Sequence, residues 1–327
     1  MLLRTFAVTL AALVMSTCAS VGETIKVTLQ LPENHYLAQN WRDFGDIVSQ
    51  KTVGDLKVQL FPSAELFKDN QVPSAVGTGA VEAGSASLVQ YAAAVPAVNV
   101  VSLPFLLDNE IKLKKATAPG SRLRQILDEA ILKATNNRVL WWQSYGRNIY
   151  LSKGAPLIKP DDFIGKRVRT YGQVQDWTVE ALGGIPMRVS GSQQYLAYES
   201  GSVDVGMTAT TGVETRELYK VMDTLTLSHD SAVEFVAVMN NDFFERLSDE
   251  KQQAILDAAA QVEAQLAGFV HADEAAAADR LRGKMSVITL TEPQRAAFRA
   301  ATAGVRKRFL DLSGDTGKAV LGAAESL

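Results

Sequence analysis

From Thr24 to Gln30 apolar and polar residues alternate, with Ile25, Val27 and Leu29 on one face and Lys26 and Thr28 on the other. This period of two predicts a half-buried strand. The spacing then changes: Leu37, Trp41, Phe44 and Val48 recur at intervals of four, three and four, one stripe of a helix that should end at the Thr52-Val53-Gly54 turn. Leu56, Val58 and Leu60 alternate with Lys57 and Gln59, a second strand. Strand, helix and strand joined by short connections make the βαβ unit of a parallel sheet.

The same grammar continues along the chain. Asn70 to Thr78 reads as helix, and Gly84-Ser85-Ala86-Ser87 as a small-residue strand whose end a ligand can approach closely. An apolar stretch with Pro104 inside it runs from Val98 to Leu107, and a helix is expected over Leu123 to Thr135. Val139 to Gln143 reads as a strand leaving a first lobe. A second lobe then opens with the strand Arg167 to Thr170, helices over Val174 to Leu182 and Gln193 to Ser200, and the strand Val203 to Met207. Residues 249–284 contain no proline and are dense in Ala, Glu, Gln, Leu and Lys, with a seam of Ile255, Val262, Leu266 and Phe269. Those are strong helix formers. A helix of that length exceeds the needs of one lobe and is expected to cross both, with a bend near Gly268.

Composition narrows the class. At 327 residues, 47% hydrophobic and 21% charged, the chain can bury a full core and is long enough for two lobes. A net charge of −3 with no dense Lys/Arg run argues against a surface that grips nucleic acid. The start is different in kind: Arg4, a nearly unbroken apolar run from Phe6 to Met15, then small residues to Gly22. This is the layout of a secretory signal over residues 1–22, too short for a bilayer span of roughly 20 residues. Cleavage after Ala19 or Gly22 would remove Cys18, the only cysteine, and leave a chain with no thiol, no stable membrane insertion and a periplasmic address; a lipid anchor on Cys18 is the lesser alternative, since Met15-Ser16-Thr17 before it match such sites poorly.

Catalytic signatures are missing from the sequence. The three histidines, His35, His229 and His271, fall in no metal-ligand spacing, and there is no GxSxG elbow, phosphate loop or GxGxxG fingerprint. No cofactor or metal is therefore expected, and an enzyme is the weakest reading. His271 reads as an exposed helix residue, and His229 as a surface position with a place in the site as its alternative. The stretch that carries chemistry is Gly165 to Gly172 (GKRVRTYG), which sets Arg169 near the end of a short strand. An arginine there can hold a carboxylate by two parallel hydrogen bonds. From spacing alone, an exposed basic residue or a structural ion pair fits equally well.

Several segments, in order, break that tie: Val48 to Leu66 (VSQKTVGDLKVQLFPSAEL), Leu103-Pro104-Phe105-Leu106, Gly165 to Gly172, and Leu182 to Asp204 (LGGIPMRVSGSQQYLAYESGSVD). Through them the chain, from Ile25 to about Lys284, resembles the substrate-binding proteins of tripartite ATP-independent periplasmic (TRAP) transporters, the DctP-like family. The resemblance implies an α/β, two-lobed, type II-like periplasmic binding fold with a long helix spanning both lobes. Residues 23–146 with about 235–272 would form lobe I, and 147–234 with about 273–327 lobe II. It implies a receptor that closes on a small carboxylate-bearing solute and passes it to the membrane subunits of a TRAP transporter. A binding protein of an ATP-driven importer or of a signalling system is the alternative, and a secreted enzyme on the same scaffold is a third.

By resemblance, Arg169 matches the family arginine that pairs with the ligand carboxylate, and Arg147 a second arginine often found in the site. Bracing the hinge is an equal alternative for Arg147. Thr208 stands where many members have an asparagine that reaches the ligand, Gln193 where a glutamate is usual, and Gly191 near an aromatic position. These departures imply an altered pocket. Tyr171 is expected to face the ligand, and Trp177, on a stripe with Val174 and Ala181, to pack in the core. Gln90 is placed to reach the ligand from the first lobe, and Asn34, His35 and Tyr36 occupy the loop after the first strand, where such sheets bind ligands.

Overall fold

The computed structural model describes residues 22–327. The expected signal segment, with Cys18, lies outside the described residues except for Gly22, and so does the side chain of His271. Among the described residues no helix is long and apolar enough to cross a membrane.

Ten strands are joined in one mixed sheet system: β1 (Glu23–Leu29), β2 (Leu56–Phe61), β3 (Ala83–Ser87), β4 (Asn137–Ser152), β5 (Arg167–Thr170), β6 (Ile185–Arg188), β7 (Val205–Ala209), β8 (Thr224–Leu227), β9 (Ala232–Asn240) and β10 (Ser286–Thr289). The order β2-β1-β3-β9-β4 forms the first lobe and β4-β7-β5-β6 the second, where β8 adds to β4 and β10 to β8. Ile25 pairs with Val58 in parallel register across the helix Tyr36–Lys51, which is the expected βαβ unit. That helix buries Leu37, Trp41, Phe44 and Val48, the stripe visible in the sequence.

β4 is the element shared by both lobes. Residues Asn137 to Arg147 pair antiparallel with β9, and Asn148 to Ser152 with β7. At about 3.3 Å per residue such a strand is long enough to serve both sheets. The short strand expected over Val139 to Gln143 is therefore only its first part. Two register shifts mark the crossing, one between Val139 and Trp141 and one between Ser144 and Gly146. Gly146 has φ +119°, and a Cβ there would meet Ala209 Cβ at 3.3 Å and Glu274 Oε1 at 3.4 Å. Only glycine takes that conformation without strain.

The helix Asp249–Leu281 runs 33 residues, through Gly268 without a break, and is capped at its start by the Ser248 side chain. Ile255, Val262, Leu266 and Val270 pack in the first-lobe core, and Ala278 and Leu281 in the second. It is thus the spine that its composition predicts. The last helix, Val305–Glu325, departs from the expected boundary. Val305, Phe309, Val320 and Leu321 join the first-lobe core of Leu123, Leu127 and Ile131, so 305–325 does not belong with lobe II. Trp177 shares this buried cluster, as its spacing predicts, and carries the Arg308 guanidinium 4.6 Å from its ring centre.

Candidate functional site

β5 ends at the interface of the lobes, and its alternation decides what faces where: Val168 enters the second-lobe core while Arg169, 4% exposed, turns the opposite way. Two carbonyls fix the guanidinium. Arg169 Nε donates to Val189 O at 2.9 Å and Nη1 to Met207 O at 2.5 Å, and the Tyr171 ring lies 4.9 Å from the guanidinium carbon. No carboxylate comes within 4 Å of Arg169 among the described residues. Its pKa is lowered by burial first and then by the like charge of Arg216, although guanidinium stays protonated at any ordinary pH. A buried charge without an ion-pair partner is costly, and Asp69 of the same cavity acts on it only through space.

Arg169 lines a cavity with Gln30, Asp69, Ser87, Tyr145, Tyr171, Thr208 and Arg216. It holds about 300 Å³ of free space including its opening. Thr208 Oγ1 lies 3.5 Å from Tyr145 Oη, and the Tyr171 hydroxyl is buried with no hydrogen-bond partner. Gly191 also lines the cavity, and a Cβ there would overlap the Gln30 amide that reaches across from the end of β1. The altered pocket position is thus filled from the other lobe.

Two charged residues in this cavity escaped the sequence reading. Arg216 follows the short helix Thr210–Thr215; its Nη2 lies 3.4 Å from both oxygens of Gln30, and its Nε is buried without a partner. Asp69, 3% exposed, opens the 3-10 turn Asp69–Gln71 and accepts from Ser87 N–H at 2.9 Å. Burial raises its pKa to about 6, against the pull of that hydrogen bond and of Arg169 and Arg216. Neither residue stands in a motif that distinguishes it from a surface charge.

Other expected residues sit elsewhere. Gln90 donates from Nε2 to Tyr171 O at 3.1 Å, tying the lobes together, and lines a wider cleft, about 1430 Å³ of free space including its opening, that shares Asp69, Tyr171 and Gly191 with the cavity. His35 caps the first helix by accepting from Leu37 N–H at 3.1 Å and stacks on Tyr145 at 5.2 Å. Its pKa is lowered by burial to about 3, so the ring is neutral. His35 and Asn34 line a separate recess with Arg42 and Glu214 rather than the Arg169 cavity.

Arg147 is also outside the cavity. Its backbone N–H donates to Glu274 Oε1 at 3.0 Å and its Nε to Oε2 at 3.1 Å, which joins β4 to the spanning helix. This geometry fits the hinge-bracing alternative. His229, expected at the surface, is instead packed beside them, its Nε2 3.6 Å from Glu274 Oε1. With its pKa lowered to about 3 by burial first and then by Arg147, the imidazole is neutral and that contact is no ion pair.

Over residues 28–311 the chain matches the family described as bacterial extracellular solute-binding protein, family 7. It belongs to that family. It is 24% identical over 259 residues to the C4-dicarboxylate-binding periplasmic protein DctP of Rhodobacter capsulatus, covering 78% of this chain and 77% of that one. It is 24% identical over 314 residues to the 2,3-diketo-L-gulonate-binding periplasmic protein YiaO of Escherichia coli, covering 94% and 93%. In structure it is similar to the sugar acid binding protein DctPAm of Advenella mimigardefordensis in complex with galactonate, with a TM-score of 0.88 at 24% identity over 93% of this chain and 98% of that one. DctP7 of Bordetella pertussis, a receptor binding pyroglutamic acid, gives 0.86 at 22% identity over 93% and 99%. These likenesses establish the two-lobed receptor fold expected from the sequence.

Proposed function

We propose that the protein is a periplasmic receptor that holds a small organic acid by its carboxylate on Arg169 and delivers it to the membrane subunits of a TRAP transporter. The observation that carries this reading is a buried arginine fixed by two carbonyls, facing a cavity between lobes, with no carboxylate of its own. A ligand carboxylate supplies the missing charge and accepts the remaining N–H groups, a charge-assisted contact of the kind that combines energy with orientation. Relatives named for C4-dicarboxylate and diketogulonate binding, and similar folds holding galactonate and pyroglutamate, support the same class of solute.

The lobes divide the work. Arg169, Tyr171, Thr208 and Arg216 belong to the second lobe, and Gln30, Asp69 and Ser87 to the first. Contacts from the two sets coexist only when the cleft is shut, so an acid that touches both favours the closed form by its differential affinity. The role is binding and release without turnover. The test is thermal unfolding of the mature protein against mono- and dicarboxylates, sugar acids and aromatic acids. A ligand at 100 times its dissociation constant stabilises by about 2.7 kcal/mol, a readily measured shift. A midpoint raised by neutral solutes and by no acid would overturn the reading.

A further inference from the structure

The charged groups of the cavity define the ligand more narrowly than a carboxylate does. Arg169 and Arg216 are its two cations and Asp69 its one carboxylate; the remaining lining side chains are neutral. Neither arginine is within ion-pair distance of Asp69 among the described residues, so the space between them is left for a ligand. With Asp69 ionised the closed cavity carries one positive charge in excess, which a single carboxylate neutralises. Asp69 also has unused acceptor capacity, since a carboxylate offers about four sites and Ser87 N–H fills one, with Gln90 near enough to stabilise its charge.

We propose that the ligand is a hydroxy monocarboxylic acid, its carboxylate on Arg169 and Arg216 and a hydroxyl donating to Asp69. This rests on the receptor reading above. A dicarboxylate would bring a second negative charge into a buried space already neutral after the first, against Asp69. A zwitterionic amino acid would satisfy Asp69 with its ammonium but leave the excess positive charge standing. An unsubstituted acid would leave Asp69 buried beside an apolar methylene. Each penalty falls on a group out of water, where an unmet charge or hydrogen bond is most expensive.

Asp69 adds a pH signature. The groups that face it are Arg169 from β5, Arg216 after the Thr210–Thr215 helix, and Tyr91 and Gln90 from the 3-10 turn Leu88–Tyr91. In the empty protein its pKa of about 6 leaves it ionised at neutral pH and protonated in mild acid. Protonation removes the charge that repels a second carboxylate and adds an O–H donor. The handicap of a dicarboxylate should therefore shrink as pH falls through that value.

The experiment is calorimetric titration of the mature protein, at about pH 7.5 and about pH 5, with two matched series. The four-carbon probes are threonate, tartrate, threonine and butanoate; the six-carbon probes are galactonate, galactarate and hexanoate. In whichever series binds, the hydroxy monoacid should lead the others by about tenfold or more at the higher pH. The diacid should close part of that gap at the lower pH. In D69N, checked for folding by circular dichroism, the gap between monoacid and diacid should collapse at both pH values. If that variant does not fold, the wild-type ratios at the two pH values decide. A diacid or amino acid that binds as tightly as the hydroxy monoacid at about pH 7.5, or a folded D69N with unchanged ratios, would overturn the proposal. Failure of every acid to bind would instead remove the receptor reading beneath it.

Discussion

Arg169 and Arg147 come from similar contexts in the sequence, each on a strand near the meeting of the lobes, and the fold gives them opposite fates. Arg147 finds Glu274 on the spanning helix, whose side chain is 3% exposed, and the two are joined by paired contacts. Arg169 finds two backbone carbonyls and open space. A carbonyl dipole can orient a guanidinium but cannot cancel its charge. The first arginine is paired within the protein and joins β4 to the spanning helix; the second has no paired carboxylate, as the proposed anion-binding role requires. Partnership, rather than residue type, is what distinguishes the two.

The widest break in that comparison should come from ligand affinity. Replacing Arg169 by Met removes the countercharge for the bound acid, and titration calorimetry should show a loss of about a hundredfold or more, since cutting one partner of a buried charge pair costs 2–5 kcal/mol. Arg147→Met should shift affinity far less. It should instead destabilise the fold by about 2–3 kcal/mol in urea denaturation, below the 3–5 kcal/mol of fully buried pairs because Arg147 keeps some solvent contact. Glu274 then loses the pairing that lowers its pKa against the rise caused by burial.

A third outcome concerns Glu234 on β9. Its Oε2 is buried without a partner, Ser144 Oγ donates to Oε1 at 2.9 Å, and burial raises its pKa to about 8. A raised carboxyl pKa means that the folded state binds a proton the unfolded chain has released. That contribution is whole below the unfolded value near 4.5 and is lost as pH rises through about 8. Wild-type stability should therefore fall over that window by a few kcal/mol relative to Glu234→Gln, on the order of 1.4 kcal/mol per unit of pKa difference. Denaturation at the two ends of the window checks it; parallel curves would show that Glu234 ionises freely. The smallest effect is the most pointed one: without ligand, Arg169→Met should leave stability unchanged or raise it by about 1 kcal/mol, because the unpaired buried charge is gone.

Most of the frame was legible because it follows from periodicity. Ile25, Val27 and Leu29 declared β1, the Leu37-to-Val48 stripe declared the helix behind it, and an unbroken alanine-rich run declared the spine. The continuous β4 and its neighbour β9 were harder. Both are buried on each face, so their residues show no alternation to mark where one lobe ends, and the crossing depends on Gly146 and on ladder shifts that involve distant strands. The last helix returns to the first lobe through contacts such as Phe309 with its core, which no local pattern encodes.

The lining of the candidate cavity divided in the same way. Arg169, Tyr171 and Thr208 were visible because they lie in or beside recognisable strands. Asp69, Arg216 and Gln30 were not, since each enters the cavity only when two lobes meet, and nothing in their immediate neighbours separates them from exposed polar residues. Asn34 and His35 were placed at the correct end of β1, but the chain turns away there, so the last strand residue's neighbour, Gln30, reaches the cavity in their place.

The most direct measurement is one titration series: wild type, Arg169→Met and Arg147→Met, each folded, against the acid that stabilises the wild type most. Wild type and Arg147→Met should bind with similar heats, and Arg169→Met should show no detectable binding. Binding that survives in Arg169→Met while Arg147→Met abolishes it would contradict the account, and would move the carboxylate site to the hinge.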